Sequence, residues 1–256
     1  MSANNGTPAI EVRGLDKQFG PIHAVRNISF SVNHGEVLGF LGPNGAGKST
    51  TMKMITGFLE PTDGTVLVNG HDVMTDPISV KASIGYLPEG APGYAEMTVI
   101  RFLEFVAEIR GLEGAEKQQR IDKVVDQIHL DGVLEQTIDT LSKGFKRRVG
   151  VAQALLHDPD VLIMDEPTDG LDPNQKHEVR SLIKEMAENK AIVISTHILE
   201  EVDAVCSRAI IIAAGQILFD GTPAELRAQS EINDYDDAFR TITSRFYTSQ
   251  GEAGQS

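Results

Sequence analysis

The sequence predicts an α/β fold built around a mostly parallel sheet, with a small antiparallel β subdomain and an inserted α-helical subdomain. Apolar runs of strand length at 37–41, 161–164 and 191–195 alternate with segments of helical character, which is typical of parallel sheets. Between residues 88 and 150 the apolar residues take helical spacing, and no convincing strand is present. This interval therefore indicates a helical insertion into the α/β core.

The remaining elements are assigned from periodicity and from turn residues. Short strands with turns between them are expected from residue 9 to 40, and a further strand at 65–68 ends on an Asn69-Gly70 turn. Glycine and polar residues near the ends of apolar-periodic segments mark the helices. Helices are predicted at 48–58, 98–110, 116–130 and 175–189. A hairpin-like pair is predicted at 210–212 and 217–219.

Composition and charge narrow the classes of partner. The chain has 256 residues, with 37 acidic against 23 basic, and a formal net charge of −14. A protein that grips nucleic acid across its surface needs the opposite sign, so nucleic acid is not expected as a partner. No apolar run reaches the roughly 20 residues that a membrane span requires, and the polar N-terminus is unlike a signal peptide. A membrane process would therefore need a second polypeptide.

A glycine-rich loop after the strand at 37–41 fits the pattern G-x-x-x-x-G-K-[ST] at every fixed position. Its glycines let successive backbone N–H groups face phosphates, and the helix N-terminus adds its positive dipole end. Lys48 is expected to reach the β- and γ-phosphates, the Ser49 hydroxyl to ligate Mg²⁺, and Thr50 to contact the α-phosphate side. The predicted phosphate-binding residues are Gly42, Pro43, Asn44, Gly45, Ala46, Gly47, Lys48, Ser49 and Thr50. The loop alone indicates a P-loop NTPase core.

Two carboxylates end the apolar run at 161–164. Ligands of α/β sheets bind at the C-terminal ends of strands, which is where Asp165 and Glu166 stand. Asp165 is predicted to hold Mg²⁺, mostly through water, and Glu166 to act as the general base that polarises the attacking water. His197 follows the run at 191–195 and is expected at the same sheet edge, where it could contact the γ-phosphate. A structural role for a lone histidine is the alternative.

These motifs, in this order, resemble the nucleotide-binding subunits of ABC transporters. The matching pieces are Phe19, GPNGAGKST at 42–50, YLPE at 86–89, LSKGF at 141–145, VLIMDEP at 161–167, DGLD at 169–172 and His197. The resemblance implies an ABC ATPase domain at 9–225, followed by a C-terminal helical extension and frayed tail at 226–256. It also implies ATP and Mg²⁺ as ligands, with Glu166 catalytic and His197 sensing the γ-phosphate.

The resemblance assigns further roles. It implies that Phe19 stacks on adenine, with a core phenylalanine as the rival interpretation, and that Val25 flanks the base. Two subunits of this family meet head to tail, so Ser142 and Gly144 of the signature segment would face the γ-phosphate held by the other subunit. The resemblance implies that Ser49 and Asp165 hold the metal. Glu89 stands where most relatives have glutamine, and whether its carboxylate also ligates Mg²⁺ is left open.

Two features of the signature segment depart from the usual pattern or lie beside it. Lys143 replaces a glycine and Phe145 replaces a glutamine of the signature usually written LSGGQ. Lys143 would add positive charge near the phosphate, whereas Phe145 cannot donate the amide hydrogen bond. The basic run at 146–148 is expected to be the solvated face of the signature helix.

The expected function is ATP binding and hydrolysis that powers a separate membrane permease. Residues 236–239 are similar to the end of single-domain ATPases that serve ABC-2-type exporters of drugs, polysaccharides or gliding motility, which favours export. A homo- or heterodimer is expected, cytoplasmic and peripheral on the inner face of the membrane through its permease. The alternative is a soluble ABC ATPase without transport, in an assembly or force-transmitting role.

Overall fold

The fold was obtained as a computed structural model that describes residues 7–90 and 94–253, with the backbone alone for 247–253. Residues 1–6 and 254–256 lie outside this description, as do 91–93. The polar N-terminus and the end of the tail, both subjects of the sequence predictions, therefore fall largely or partly outside it. Within the described residues, the chain forms two sheets flanked by helices.

The larger sheet has six strands in the order β10-β9-β3-β8-β7-β6. All neighbours are parallel except β9 and β10, which form the predicted antiparallel hairpin. Its strands are β3 (Val37–Leu41), β6 (Ile84–Leu87), β7 (Val161–Asp165), β8 (Ala191–Thr196), β9 (Arg208–Ala213) and β10 (Gln216–Gly221). The predicted α/β class with a mostly parallel sheet is confirmed.

The central strands are apolar throughout because both faces of the sheet are covered. In β7, Val161 and Ile163 pack into the core on the side of the antiparallel sheet, whereas Leu162 and Met164 pack into the core shared with the helical insertion. The neighbouring strand β8 alternates in the same way. These strands end together at one edge of the sheet, and the functional residues predicted after them are consequently brought close to one another.

The smaller sheet is antiparallel, with the order β2-β1-β4-β5. Its strands are β1 (Ile10–Phe19), β2 (Ile22–Val32), β4 (Asp63–Val68) and β5 (His71–Asp72). The first two are ten and eleven residues long, so the short strands expected there are in fact two long ones. This long hairpin carries Phe19 at its turn and Val25 on its buried side, which fixes where those two predicted residues lie.

Helices cover the larger sheet and form the insertion. In chain order they are α1 (Lys48–Ile55), α2 (Pro77–Ser83), α3 (Val99–Ile109), α4 (Gly114–Ile128), α5 (Lys143–Leu155), α6 (Pro173–Ala187), α7 (Leu199–Val205), α8 (Pro223–Arg227) and α9 (Tyr235–Ala253). The insertion consists of α3, α4 and α5, and its last helix runs five residues beyond the expected limit at 150. The tail expected to fray from about residue 248 is helical in its backbone as far as Ala253. None of the helices in residues 7–90 and 94–253 combines the length and apolar character of a membrane span.

Candidate functional site

The phosphate loop connects β3 to α1, and its geometry depends on two glycines that the surrounding backbone encloses. A Cβ at Gly42 would lie 2.3 Å from the carbonyl oxygen of Ile212 on the neighbouring strand. Gly47, the N-cap of α1, has φ +108°, and a Cβ there would lie 2.6 Å from the carbonyl oxygen of Ala24. Backbone so tightly enclosed accepts only glycine, and it holds the loop against the helix N-terminus.

Alanine at Gly47 is therefore expected to weaken ATP binding about five- to 150-fold more than alanine at Gly45, because overpacking of this kind costs about 1–3 kcal/mol. Gly45 is the matched control, since its φ is +79° and a Cβ there has no described heavy atom within 4 Å. Both variants then share the strain of a positive φ, and only Gly47→Ala adds the clash. Titration with a fluorescent ATP analogue measures both affinities. Equal losses in the two variants would show that the enclosure of Gly47 is unimportant.

Beside this loop lies a cavity of about 280 Å³ that is lined by six of the nine predicted phosphate-binding residues. It is lined by Ala24, Asn44, Gly45, Gly47, Lys48, Ser49, Thr50, Glu89 and Glu166. The Lys48 ammonium is buried and donates to the carbonyl oxygens of Gly42 and Pro43 at 2.7 and 3.2 Å. Burial lowers the pKa of Lys48, and the charges of Glu166, Asp165 and Glu89 oppose that shift. The cavity thus pairs phosphate-binding donors with carboxylates.

The carboxylates at the end of β7 occupy different environments. Asp165 is buried and accepts a hydrogen bond from the Ser195 hydroxyl, which in turn accepts from the backbone N–H of Glu166 at 3.2 Å. Glu166 adopts φ 51°, a left-handed conformation that few non-glycine residues take. His197, at the end of β8, has its Nδ1 3.1 Å from Oε1 of Glu166. Glu166 and His197 therefore meet at one sheet edge, as their positions predict.

The donor set fits a hard divalent cation. Ser49, Glu89 and Asp165 offer hydroxyl and carboxylate oxygens, the ligands that Mg²⁺ prefers, and two of these residues line the same cavity. Asp165 lies behind it with one carboxylate oxygen already bonded to Ser195. Ligand atoms of Glu166, Asp169 and His197 also lie within 4.8 Å of one another, although Asp169 and His197 are exposed. The first group remains the predicted metal set.

Phe19 and Val25 take different places relative to the cavity. Phe19 is 44% exposed at the β1–β2 turn, and the Lys17 ammonium lies over one face of its ring, 5.1 Å from the centroid. Its predicted stacking on adenine stays a prediction. Val25 is fully buried and packs beneath the phosphate loop, where its Cγ2 would lie 3.4 Å from a Cβ at Gly47. β2 thus turns Val25 toward the core, and its predicted place beside the base stays a prediction.

The signature segment begins α5, away from the cavity of its own chain. Ser142 is exposed and caps the helix by accepting from the N–H of Phe145 at 3.3 Å. Gly144 is buried, and a Cβ there would lie 2.4 Å from the side-chain amide nitrogen of Gln175 at the start of α6. Neither Ser142 nor Gly144 lines the cavity, and their predicted contact with the nucleotide of another subunit stays a prediction.

Arg147 overturns the interpretation of the basic run as a solvated face. The residue is 5% exposed, and its guanidinium donates to backbone carbonyl oxygens from two separate segments, 88–90 and 165–167. The acceptors are the carbonyls of Pro88, Gly90, Asp165, Glu166 and Pro167. Helical spacing places Arg147 three residues after Gly144 and four before Val151, both buried, and this was the available signal. The residue therefore ties the signature helix to both acidic segments of the site.

Known proteins share this sequence pattern and this fold. The family described as ABC transporter matches residues 25–169. The chain is 38% identical to ABC transporter A family member 1 of Dictyostelium discoideum, over 89% of this chain and 27% of that protein. It is 36% identical to the probable multidrug ABC transporter ATP-binding protein YbhF of Escherichia coli (strain K12), over 91% of this chain and 41% of that protein. The chain thus spans less than half of either relative.

A solved structure matches this chain over nearly the whole length of the solved chain. It is described as an ATP binding subunit of an ABC transporter, and it superposes with a TM-score of 0.83 at 31% identity. The match covers 92% of this chain and 99% of that one. The arrangement of sheets and helical insertion described above is therefore that of a known group of proteins.

Proposed function

This chain belongs to the ABC transporter family, and from that premise we propose that it is an ATP-binding and ATP-hydrolysing subunit that powers a separate membrane permease. The observation that carries the proposal is the convergence of the phosphate loop, Lys48, Ser49 and Glu166 on one cavity. Backbone N–H groups and an ammonium group suit a triphosphate, and a carboxylate beside them suits activation of water. Phosphoryl transfer to water needs both.

The residues divide the work of hydrolysis between binding and proton transfer. The loop and Lys48 hold the phosphates, while Glu166 orients the attacking water and accepts its proton. His197, with its Nδ1 3.1 Å from Oε1 of Glu166, orients that carboxylate and would contact the γ-phosphate. Ser49, Asp165 and Glu89 would hold Mg²⁺, which when bound neutralises charge on the phosphate oxygens.

A second subunit is part of the proposal. Ser142 and the helix N-terminus that it caps point an anion-binding end away from the cavity of their own chain. Two copies placed head to tail would bring this end to the γ-phosphate held by the other copy. Because ATP would bridge both copies and ADP would not, binding and hydrolysis would shift the population between closed and open dimers.

An apolar groove between the insertion and the core supports a permease partner. We call it the docking groove; it has a volume of about 590 Å³, and its apolar lining includes Phe58, Tyr86, Tyr94, Phe102, Phe105 and Ile109. Phe58, Tyr94 and Ile109 are 72%, 59% and 66% exposed, which is costly for large apolar side chains on a protein without a partner. Tyr86 lies three residues before Glu89, so an occupant of the groove would contact the strand that leads to the cavity.

Export is proposed over import. It is supported by the resemblance of residues 236–239 and by the name of the relative YbhF, a probable multidrug transporter protein. The working location would then be the cytoplasmic face of a membrane, peripheral through the permease. The second candidate, a soluble ABC ATPase without transport, is favoured by no specific contact in the described residues.

The test is affinity purification of the tagged chain from native membranes, with and without an acidic residue in the docking groove. Wild-type protein is expected to retain a polytopic membrane protein in stoichiometric amount, and Phe58→Asp to lose it, because a charge cannot be buried in an apolar contact without a partner. Ile232→Asp is the matched control, since Ile232 is 74% exposed and lies outside the groove. Melting temperatures establish that all three proteins are folded.

The recovered partner also allows a functional test. Reconstitution of the recovered partner with wild-type chain should raise ATP hydrolysis, and the Phe58→Asp protein should not respond. Recovery of soluble proteins alone, with ATP hydrolysis intact, would overturn the permease part of the proposal and move the soluble ATPase to first place. If the Ile232→Asp control lost the membrane protein to the same extent, the docking groove would not be the surface that binds the permease.

A further inference from the structure

Glu201 is a buried carboxylate that the reaction scheme above does not use. It lies on α7, four residues after His197, and is 2% exposed. Each carboxylate oxygen has its own hydroxyl donor: Oε1 accepts from Thr168, and Oε2 accepts from Thr196 at 2.7 Å. Both threonines are themselves buried. The nearest cation, Arg180, is 4.0 Å from Oε1.

The two threonines belong to the two segments that carry the hydrolytic pair. Thr168 stands two residues after Glu166, and Thr196 immediately precedes His197. Taking the proposed ATP hydrolysis as given, we propose that Glu201 is a positioning residue: its carboxylate joins these two segments and so fixes the separation between Glu166 and His197. It does not itself reach the cavity, because it is absent from the residues that line it.

Arg147 and Ser195 already hold the segment that carries Glu166, and the N–H of Glu166 donates to the Ser195 carbonyl at 3.0 Å. Glu201 adds a link between the two turns that carry the pair. Glu166 sits in a strained left-handed conformation, and the turn after it is closed by N–H donation from Asp169 to the Glu166 carbonyl at 3.2 Å. On the other side, the Thr196 hydroxyl also accepts from the N–H of Ile198 at 3.0 Å and so shapes the turn at His197. Glu201 therefore acts on both turns through hydroxyl groups that also belong to them.

A carboxylate is an expensive way to fill this space. Burial raises the pKa of Glu201, against the hydrogen bond from Thr196 and the charge of Arg180, so the protein stabilises the charge only in part. An apolar side chain of similar volume would fill the site without desolvating a charge. What an apolar side chain cannot do is accept from two hydroxyls on different segments at once. The geometry of Glu201 thus indicates that its carboxylate aligns Glu166 and His197 rather than stabilising the fold.

The experiment measures steady-state ATP hydrolysis by the full chain with Thr168→Val and Thr196→Val, each close to the size of threonine but without the hydroxyl. Each is expected to lower kcat by about ten- to a hundredfold, the effect of misplacing a reacting group by about 1 Å, while the KM for ATP stays within about twofold. Thr168→Ser and Thr196→Ser keep the hydroxyl and should restore most of kcat. Thr243→Val is the matched control, because its hydroxyl donates to the Phe239 carbonyl on α9.

Double variants distinguish a loss of alignment between Glu166 and His197 from a simple packing defect. If the two threonines act through one carboxylate, either valine variant placed on Glu201→Gln should lose little beyond the larger single effect. Independent packing defects would instead multiply. Should Glu201→Gln fail to fold, the valine and serine variants carry the test alone, since valine replaces one hydroxyl group with a methyl group and serine removes one methyl group.

Two results would overturn the inference, and they are distinguishable from each other. If wild-type chain hydrolyses ATP and the valine variants keep its kcat while melting at lower temperature, Glu201 stabilises the fold and positions nothing. If the wild-type chain binds ATP but hydrolyses none, with or without a permease, the proposed function fails, and the inference that depends on it fails as well.

Discussion

Glutamine at Glu166 is expected to lower ATP hydrolysis at least about a hundredfold while leaving ATP affinity nearly unchanged. The amide has the shape of the carboxylate but cannot accept a proton from water, and the phosphate loop is untouched by the change. His197 can still bond the side-chain oxygen, since its Nδ1 lies 3.1 Å from that position. Single-turnover hydrolysis and equilibrium nucleotide binding, measured on the same preparation, separate the two effects.

The matched control for Glu166→Gln is Asp169→Asn. Asp169 lies in the same cluster, with a ligand atom within 4.8 Å of those of Glu166 and His197, and the change removes the same charge. It is exposed and does not line the cavity, so its loss should cost far less activity. Equal losses would contradict a role for Glu166 as base and would indicate that the total charge beside the phosphates is what matters.

Methionine at Arg147 is expected to lower the free energy of unfolding by at least about 3 kcal/mol, because several buried carbonyl oxygens lose a charged donor together. Methionine fills much of the same space and isolates the loss of hydrogen bonds. Lysine should recover only part of the loss, since it lacks the planar fork that reaches carbonyls in different directions. Chemical denaturation followed by circular dichroism measures the differences.

Arg148 supplies the comparison for that experiment. It is adjacent and has the same chemistry, but it pairs with Glu178, which is half exposed, and lies 5.3 Å over the Phe145 ring. Methionine there is expected to cost no more than about 1.5 kcal/mol. If the two arginines proved equally important, the hydrogen bonds of Arg147 to the segments 88–90 and 165–167 would not be what holds the signature helix in place.

The fold was predictable where the pattern is local and strong. The run at 37–41 coincides with β3, and β7 and β8 each extend one residue beyond the predicted runs, because strands covered on both faces must be apolar throughout. β6 was not predicted. It has four residues, and it contains Gly85, where a Cβ would lie 2.2 Å from the carbonyl oxygen of Ala154. A short strand with a glycine has too little periodicity to be recognised.

The parts of the site that lie within local sequence motifs were also predictable. The phosphate loop is continuous in sequence, and Asp165, Glu166 and His197 follow apolar strands directly. Arg147 and Glu201 were missed because their partners lie far along the chain, up to 59 residues away for Arg147 and 33 for Glu201. The burial of Val25 on the inner face of β2 was not predicted, and its place beside the base, implied by the resemblance, stays a prediction.

The contact between Gly144 and Gln175 limits how this chain can drift in sequence. Gln175 both closes the capping box of α6 with Asp172 and fills the space beside Gly144. A larger residue at 144 would therefore displace the amide end of Gln175, and the first turn of α6 would then lose the reciprocal bond of its capping box. The start of α5 and the start of α6 are thus coupled through one side chain, and a substitution at position 144 is felt at the cap of the neighbouring helix.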